Sequence, residues 1–390
     1  MDFMLRKFIF VLFVALFFLF TKQIFAQTPS SGAEPFRGGA SQQFVAPKQE
    51  YYKAEVSKII KEGSRDIQKY KNFFQFIEVK FLEGPEKGKI TTFENGGSLK
   101  TLEQKSLKKG DQIVVLKVTQ NGKATYSVWD KYRFNYLYFA LIGFFTMVLI
   151  FSGLKKGFGS ILGLIFSILV LLKFIVPQIL AGRDPLLISI AGSLAILFTT
   201  IFLAHGISRK TTVAVASTFV SLIITGVISY LFVKGFHMSG LGDENNALLQ
   251  LGRFSINPQG LLLGGIIIGA LGVLDDITTT QSAAVFELSK LNERLTITDL
   301  IVKGYNIGRE HIASLVNTLV LAYAGASLGL FVIFVINPSQ TPLWVMLNSE
   351  MVAEEIIRTA SGSMGLILAV PITTVIAAIF AKKKLLNNLK

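Results

Sequence analysis

The feature that most constrains this chain is a series of long apolar runs in its C-terminal two thirds. About seven stretches, near residues 135–153, 159–180, 186–205, 212–233, 260–283, 310–336 and 361–381, each supply the roughly 20 mostly apolar residues that span a bilayer core about 30 Å thick. Over the whole chain 51% of residues are hydrophobic and the mean hydropathy is +0.53, values that suit a polytopic membrane protein. The net charge of +14 would also suit a nucleic-acid binder. Here many of the lysines and arginines fall in the connections between the apolar runs and most of the others on the surface of the region before them, so nucleic acid is not an expected partner.

These clusters also predict orientation. Lys155, Lys156, Arg209, Lys210, Lys290, Arg294, Lys303, Arg309 and Lys382–Lys384 fall in alternate connections. The intervening connections are poorer in positive charge. By the positive-inside rule the C-terminus is expected in the cytoplasm and the region before the first span outside. The N-terminus agrees: Arg6 and Lys7 precede an apolar run from Phe8 to Phe20, and Ala26 ends a short polar segment. Residues 1–26 thus read as a signal peptide, or as an uncleaved anchor of the same orientation.

Two further segments precede the spans. Residues 27–50, rich in Ser, Gly, Gln and Pro, read as a flexible linker. Residues 51–133 alternate apolar and polar residues in short runs such as "QFIEVKFL" and "DQIVVLKVT", separated by turn sequences. Asn121-Gly122 is a two-residue hairpin turn by composition. A small extracytoplasmic all-β domain of about five strands follows from this pattern, and residues 134–390 form the helical membrane domain. The connection 337–360 places Val352, Ile356 and Ile357 on one helical face opposite Glu354 and Arg358, as in a helix lying on the membrane or one with a solvated charged face.

The chain holds no cysteine and three histidines, His205, His237 and His311, that are far apart in sequence. Thiolate chemistry and disulfides are therefore excluded. The sequence indicates no cofactor and leaves the identity of any metal open. The expected site lies in "IIIGALGVLDDITTTQSAAVFEL", residues 266–288, where two carboxylates interrupt an apolar run. Asp275 is about 22 Å along a helix that starts near Gly260. Beyond it no Gly or Pro stops the helix before about Lys290. On a helix Asp275, Thr279 and Ser282 share one face, and Asp276, Thr280 and Glu287 a neighbouring one. With Gln281 these groups suit a cation site, proton relay or hydrated path, because intramembrane carboxylates need partners. Gly264, Gly265, Gly269 and Gly272 would allow close helix approach. His311, Ser314 and Asn317 on the next span could face the same site. Pro371 removes a backbone donor from the last span, and Thr373 and Thr374 could bond carbonyls freed by it.

The segments "GGIIIGALGVLDDITTTQSAAVFEL", "GREHIASLVNTLVLAYAGASLGL" and "LNSEMVAEEIIRTASGSMGLILAVPITTVIAA", with "LKKGDQIVVL" and "YSVWDKYR" upstream, resemble the YibE/F family of bacterial membrane proteins over most of residues 50–385. The resemblance implies a multi-pass protein of presumed transport function and brings no substrate or catalytic residues with it. A secondary transporter or permease for an ion or small solute is the expected function, since the G-x-x-x-x-G-K-[ST] phosphate loop is absent. An accessory protein whose outer β domain binds an envelope partner is the alternative. Enzymatic function is not expected: adjacent aspartates on one helix diverge by about 100°, and neither H-E-x-x-H nor G-x-S-x-G occurs.

Overall fold

The structure is a computed structural model that describes residues 48–390 except 68–69, 97–105, 121, 243–245, 247–248, 250–255, 337–341 and 389–390. The signal segment, nearly all of the linker, and Asn121 lie outside the described residues. The chain divides into two compact units, one ending at Met147 and one running from Val148 to Lys390.

The first unit contains β1 (Lys48–Ile67), β2 (Tyr70–Phe81), β3 (Ile90–Gly96), β4 (Gln112–Gln120) and β5 (Lys123–Lys131). They form one antiparallel sheet in the order β3-β2-β1-β4-β5. β1 is long enough to pair with β4 through its first half and with β2 through its second. Irregularities in its register with β2 at Val56/Lys58 and Ile59/Lys61 let the strand bend and the sheet curl. Alternation then decides burial: Ala54 and Val56, Ile77, Val79 and Phe81, and Ile113 and Val115 point into one core. Gln75 is buried and clamps the Leu107 backbone, donating to its carbonyl at 3.0 Å and accepting from its N–H at 2.8 Å. Gln120 pairs with Lys123 across a two-residue connection, where Gly122 takes φ +76°.

Helix α1 (Phe134–Ser152) follows the sheet and has no buried residue. In the second unit, α2 (Leu154–Val170) passes through a π-helical turn, Leu171–Ile175, into α3 (Val176–Leu180). Then come α4 (Pro185–His205), α5 (Arg209–Gly235), α6 (Pro258–Leu291), α7 (Ile297–Ala326), α8 (Leu328–Ile336), α9 (Leu343–Leu347) and α10 (Glu350–Asn388). Side-chain caps start several of them: Asp184 for α4, a Ser208–Thr211 box for α5, Asn257 for α6 and a Thr296–Asp299 box for α7.

Among the described residues six helices are long and apolar enough to cross a membrane: Phe134–Ser152, Leu154–Leu180, Pro185–His205, Arg209–Gly235, Pro258–Leu291 and Glu350–Lys382. The stretch 310–336, expected as the sixth of seven spans, is divided between α7 and α8 with Ser327 at the break. Gly325, Ser327 and Gly329 weaken the helix there. The expected surface helix within 337–360 is also different. Residues 350–358 are the first turns of α10, where Glu354 is buried and Ile356 is 54% exposed. The Glu350 carboxylate accepts from the Ser239 hydroxyl at 2.8 Å and the Gly240 N–H at 2.7 Å, and Glu354 accepts from the Gly242 N–H at 2.9 Å. These bonds hold the start of α10 against the chain that leaves α5.

The core of this unit joins Leu197, Ile201, Leu222, Ile267, Leu274, Ile277, Leu366 and Val370 from α4, α5, α6 and α10. Small residues set the spacing. A Cβ at Gly159 would lie 2.1 Å from the Leu203 carbonyl oxygen, one at Gly365 2.0 Å from Thr225 Oγ1, and one at Gly308 2.3 Å from Val370.

Candidate functional site

α6 continues without interruption through both aspartates to Leu291, so they sit on a helix and not in a loop. Its neighbours then assign the polar residues to different surroundings. Asp275, Asp276, Gly272 and Thr279 face α2 and α4 across a cavity of about 300 Å³. Ser160 and Ser167 line it from α2, and Thr200 and His205 from α4. Asp275 is partly buried, whereas Asp276 and His205 are exposed.

Three of the hydroxyls around this cavity, those of Ser167, Thr200 and Thr279, share one property. Ser167 donates to the Gly163 carbonyl at 2.9 Å, Thr200 to that of Ile196 at 2.9 Å, and Thr279 to that of Asp275 at 2.9 Å. Each hydroxyl has a single hydrogen. When it is spent on the preceding turn, only oxygen lone pairs remain for the cavity. Thr200 Oγ1 also lies 3.4 Å from Asp275 Oδ2, a long contact that competes with its shorter bond to Ile196. The lining is thus two carboxylates and at least three hydroxyl oxygens turned outward as acceptors. Such a lining favours a group that brings positive charge or hydrogen: a hard cation, an ammonium, or a proton. Among the described residues no three His, Cys, Asp or Glu side chains cluster as a metal site, so any cation would be held chiefly by hydroxyl and carboxylate oxygens.

The other predicted residues lie elsewhere. Gln281 and Ser282 are fully buried further along α6, Gln281 turned away from Asp275 and Ser282 about two turns beyond it on the same face. Gln281 donates to the Gly304 carbonyl at 2.8 Å and Thr374 Oγ1 at 2.7 Å, and Ser282 to the Lys210 carbonyl at 2.8 Å. They join α6 to α7, α10 and the start of α5 and do not line the cavity. Thr278 is buried and bonds the hydroxyl of Thr218 in α5. Thr280 is exposed, and the exposed Glu287 pairs with Lys290 at 2.7 Å. His311 is partly buried, Ser314 and Asn317 are exposed, and none of the three lines the cavity. Thr373 and Thr374 bond the carbonyls of Ala369 and Val370. The carbonyl freed by Pro371 is that of Ile367, one turn before it, so the two hydroxyls serve other acceptors.

The α6 glycines divide as well. A Cβ at Gly264 would lie 2.4 Å from Ser189 Oγ, and one at Gly269 3.1 Å from the Tyr323 hydroxyl. At Gly265 and Gly272 a Cβ meets nothing within 4 Å, and Gly272 instead keeps the cavity open. Ser160, Ser167 and Thr200 carried no signal in α6 itself. Their only trace in sequence is the i, i+3, i+7 spacing of Ser160, Gly163 and Ser167 on one face of α2.

The family model for YibE/F-like protein matches residues 141–383, more than half of the chain. The chain belongs to the YibE/F-like family. No curated protein and no solved structure matches it. The YibE/F match covers every residue of the cavity and leaves out the β sheet, although the sequence resemblance extended across that sheet. Family membership and six span-like helices together fit an integral membrane protein.

Proposed function

We propose that this YibE/F-like protein is a secondary transporter that moves a proton or small cation through the cavity between α2, α4 and α6. The observation that carries this reading is the Asp275 carboxylate facing Ser167, Thr200 and Thr279, whose hydroxyl hydrogens are spent on their own helices. The positive charges between the spans support a cytoplasmic C-terminus, which would put Asp275 in the inner half of the bilayer. Asp275 would hold the proton or cation, Thr200 and Thr279 would offer neutral oxygens, and Asp276 and His205 would exchange the proton or cation with water at the rim. The chain would be no enzyme in this reading, and its β domain would stand outside the membrane.

Full-length protein in proteoliposomes tests this. Vesicles carrying a pH gradient or a gradient of Na⁺, K⁺ or Mg²⁺ should dissipate at least one of them faster than protein-free vesicles, and Asp275→Asn should remove that flux. Flux that survives Asp275→Asn unchanged would remove the cavity from the pathway. Tight vesicles under all four gradients would favour an accessory protein that acts through its β domain.

A further inference from the structure

A second cleft, of about 910 Å³, lies within the first unit where the sheet meets α1. One wall carries Asp111, Lys131 and Arg133; the other is the first two turns of α1, including Tyr136 and Phe139. The two walls differ chemically. Tyr136 is 78% and Phe139 70% exposed, with no protein packed over them. Lys131 gives one hydrogen bond to Asp111, at 3.1 Å, and Arg133 bonds Asp130 through one nitrogen, at 2.7 Å. The Arg133–Asp130 pair is exposed and the Lys131–Asp111 pair half-buried, and both cations keep unused donors.

We infer that this cleft binds an anionic phospholipid, its headgroup phosphate on Lys131 and Arg133 and the upper part of its acyl chains along Tyr136 and Phe139. Three observations converge on that occupant. The cationic groups end where a span-like helix begins, so they stand at the level of lipid headgroups. The cleft passes from charge to aromatic to apolar lining along one helix, as an amphiphile does. Among the residues lining the cleft, the cations Lys131 and Arg133 outnumber the single carboxylate, Asp111, so the lining favours an anion. A soluble phosphate would leave the aromatic wall bare. This inference stands apart from the transport reading, since no residue is shared.

Native mass spectrometry of the full-length protein from mixed phosphatidylglycerol and phosphatidylcholine vesicles tests it. Wild type should retain phosphatidylglycerol preferentially. Lys131→Ala with Arg133→Ala should lower that retention roughly thirtyfold, with the melting temperature unchanged. Asp111→Asn frees Lys131 from its competitor and should raise retention, an outcome that loss of fold would not produce. Equal retention of both lipids, or a double variant that binds like wild type, would overturn the assignment. Displacement of the lipid by equimolar inorganic phosphate would replace it with a free-anion site, and retention of a copurifying protein in place of lipid would make the cleft a protein interface.

Discussion

Glu86 in the β domain and Asp275 in the helical unit are both shielded carboxylates, and their surroundings differ completely. Glu86 has 12% of its side chain exposed and sits among donors: the Lys117 ammonium, the Tyr126 hydroxyl at 3.0 Å and the Lys89 ammonium at 3.3 Å. Burial alone would raise its pKa. The bonds from Lys117, Tyr126 and Lys89 outweigh that and hold its carboxyl below the ordinary value of 4.5. Asp275 meets one hydroxyl, at 3.4 Å, whose hydrogen already serves Ile196. The first carboxylate is complete within its own fold. Among the described residues the second has only that long contact. That difference separates a structural charge from a candidate binding group more clearly than burial does.

Four perturbations break or sharpen this contrast. Asp275→Asn should have the largest effect, lowering ion flux in proteoliposomes to that of empty vesicles while leaving the melting temperature in detergent unchanged. Glu86→Asn should do the reverse, with flux retained and the β domain less stable. Filling the cavity without touching a carboxylate comes next. Gly272→Phe projects a ring into space where a Cβ meets nothing within 4 Å, so it should block flux and still give folded, monodisperse protein. A blocked Gly272→Phe beside an active Gly265→Phe, also in open space, would locate the path on the cavity side of α6.

The smaller effects concern stability. Glu86→Gln removes the charge but keeps the shape, and should cost about 1 kcal/mol in denaturant unfolding of the full chain near neutral pH. The pH dependence has a definite sign. A carboxyl with a depressed folded-state pKa contributes stability above its unfolded value, near 4.5 here, and loses it as the pH falls through the folded value. Wild type should therefore lose more stability than Glu86→Gln between about pH 5 and 3. On the packed side of α6, Gln281→Leu should cost about 1 kcal/mol through its lost bonds to Gly304 and Thr374. It should leave flux intact, because Gln281 faces away from the cavity.

Much of the architecture was legible in the residues. The apolar runs located the six span-like helices, although the last of them starts at Glu350, well before its apolar run begins near residue 361. Period-two alternation and the turn sequences located five strands, because a half-buried strand writes its burial directly into its sequence. The lack of any breaker between Gly272 and Leu291 predicted that α6 runs on past its aspartates. Where local propensity was divided, as around Ser327, the sequence read one helix and the chain forms two.

The site was legible only by half. The 3.6-residue period fixes which residues of α6 share a stripe, and it grouped Asp275 with Thr279 correctly. It does not state which stripe meets which neighbour. Ser282 shares the face of Asp275 but lies about 10 Å further along the helix, where it meets the start of α5 instead of the cavity. Packing of α5, α7 and α10 closed over Gln281 and Ser282, while α2 and α4 left a gap beside Asp275. Thr200 is 75 residues from Asp275 in sequence. The sequence by itself determined that polar groups stand along a span-like helix, since composition and periodicity are local properties. Only the tertiary structure decided which of them are satisfied and which remain open, because satisfaction depends on donors brought in from distant helices.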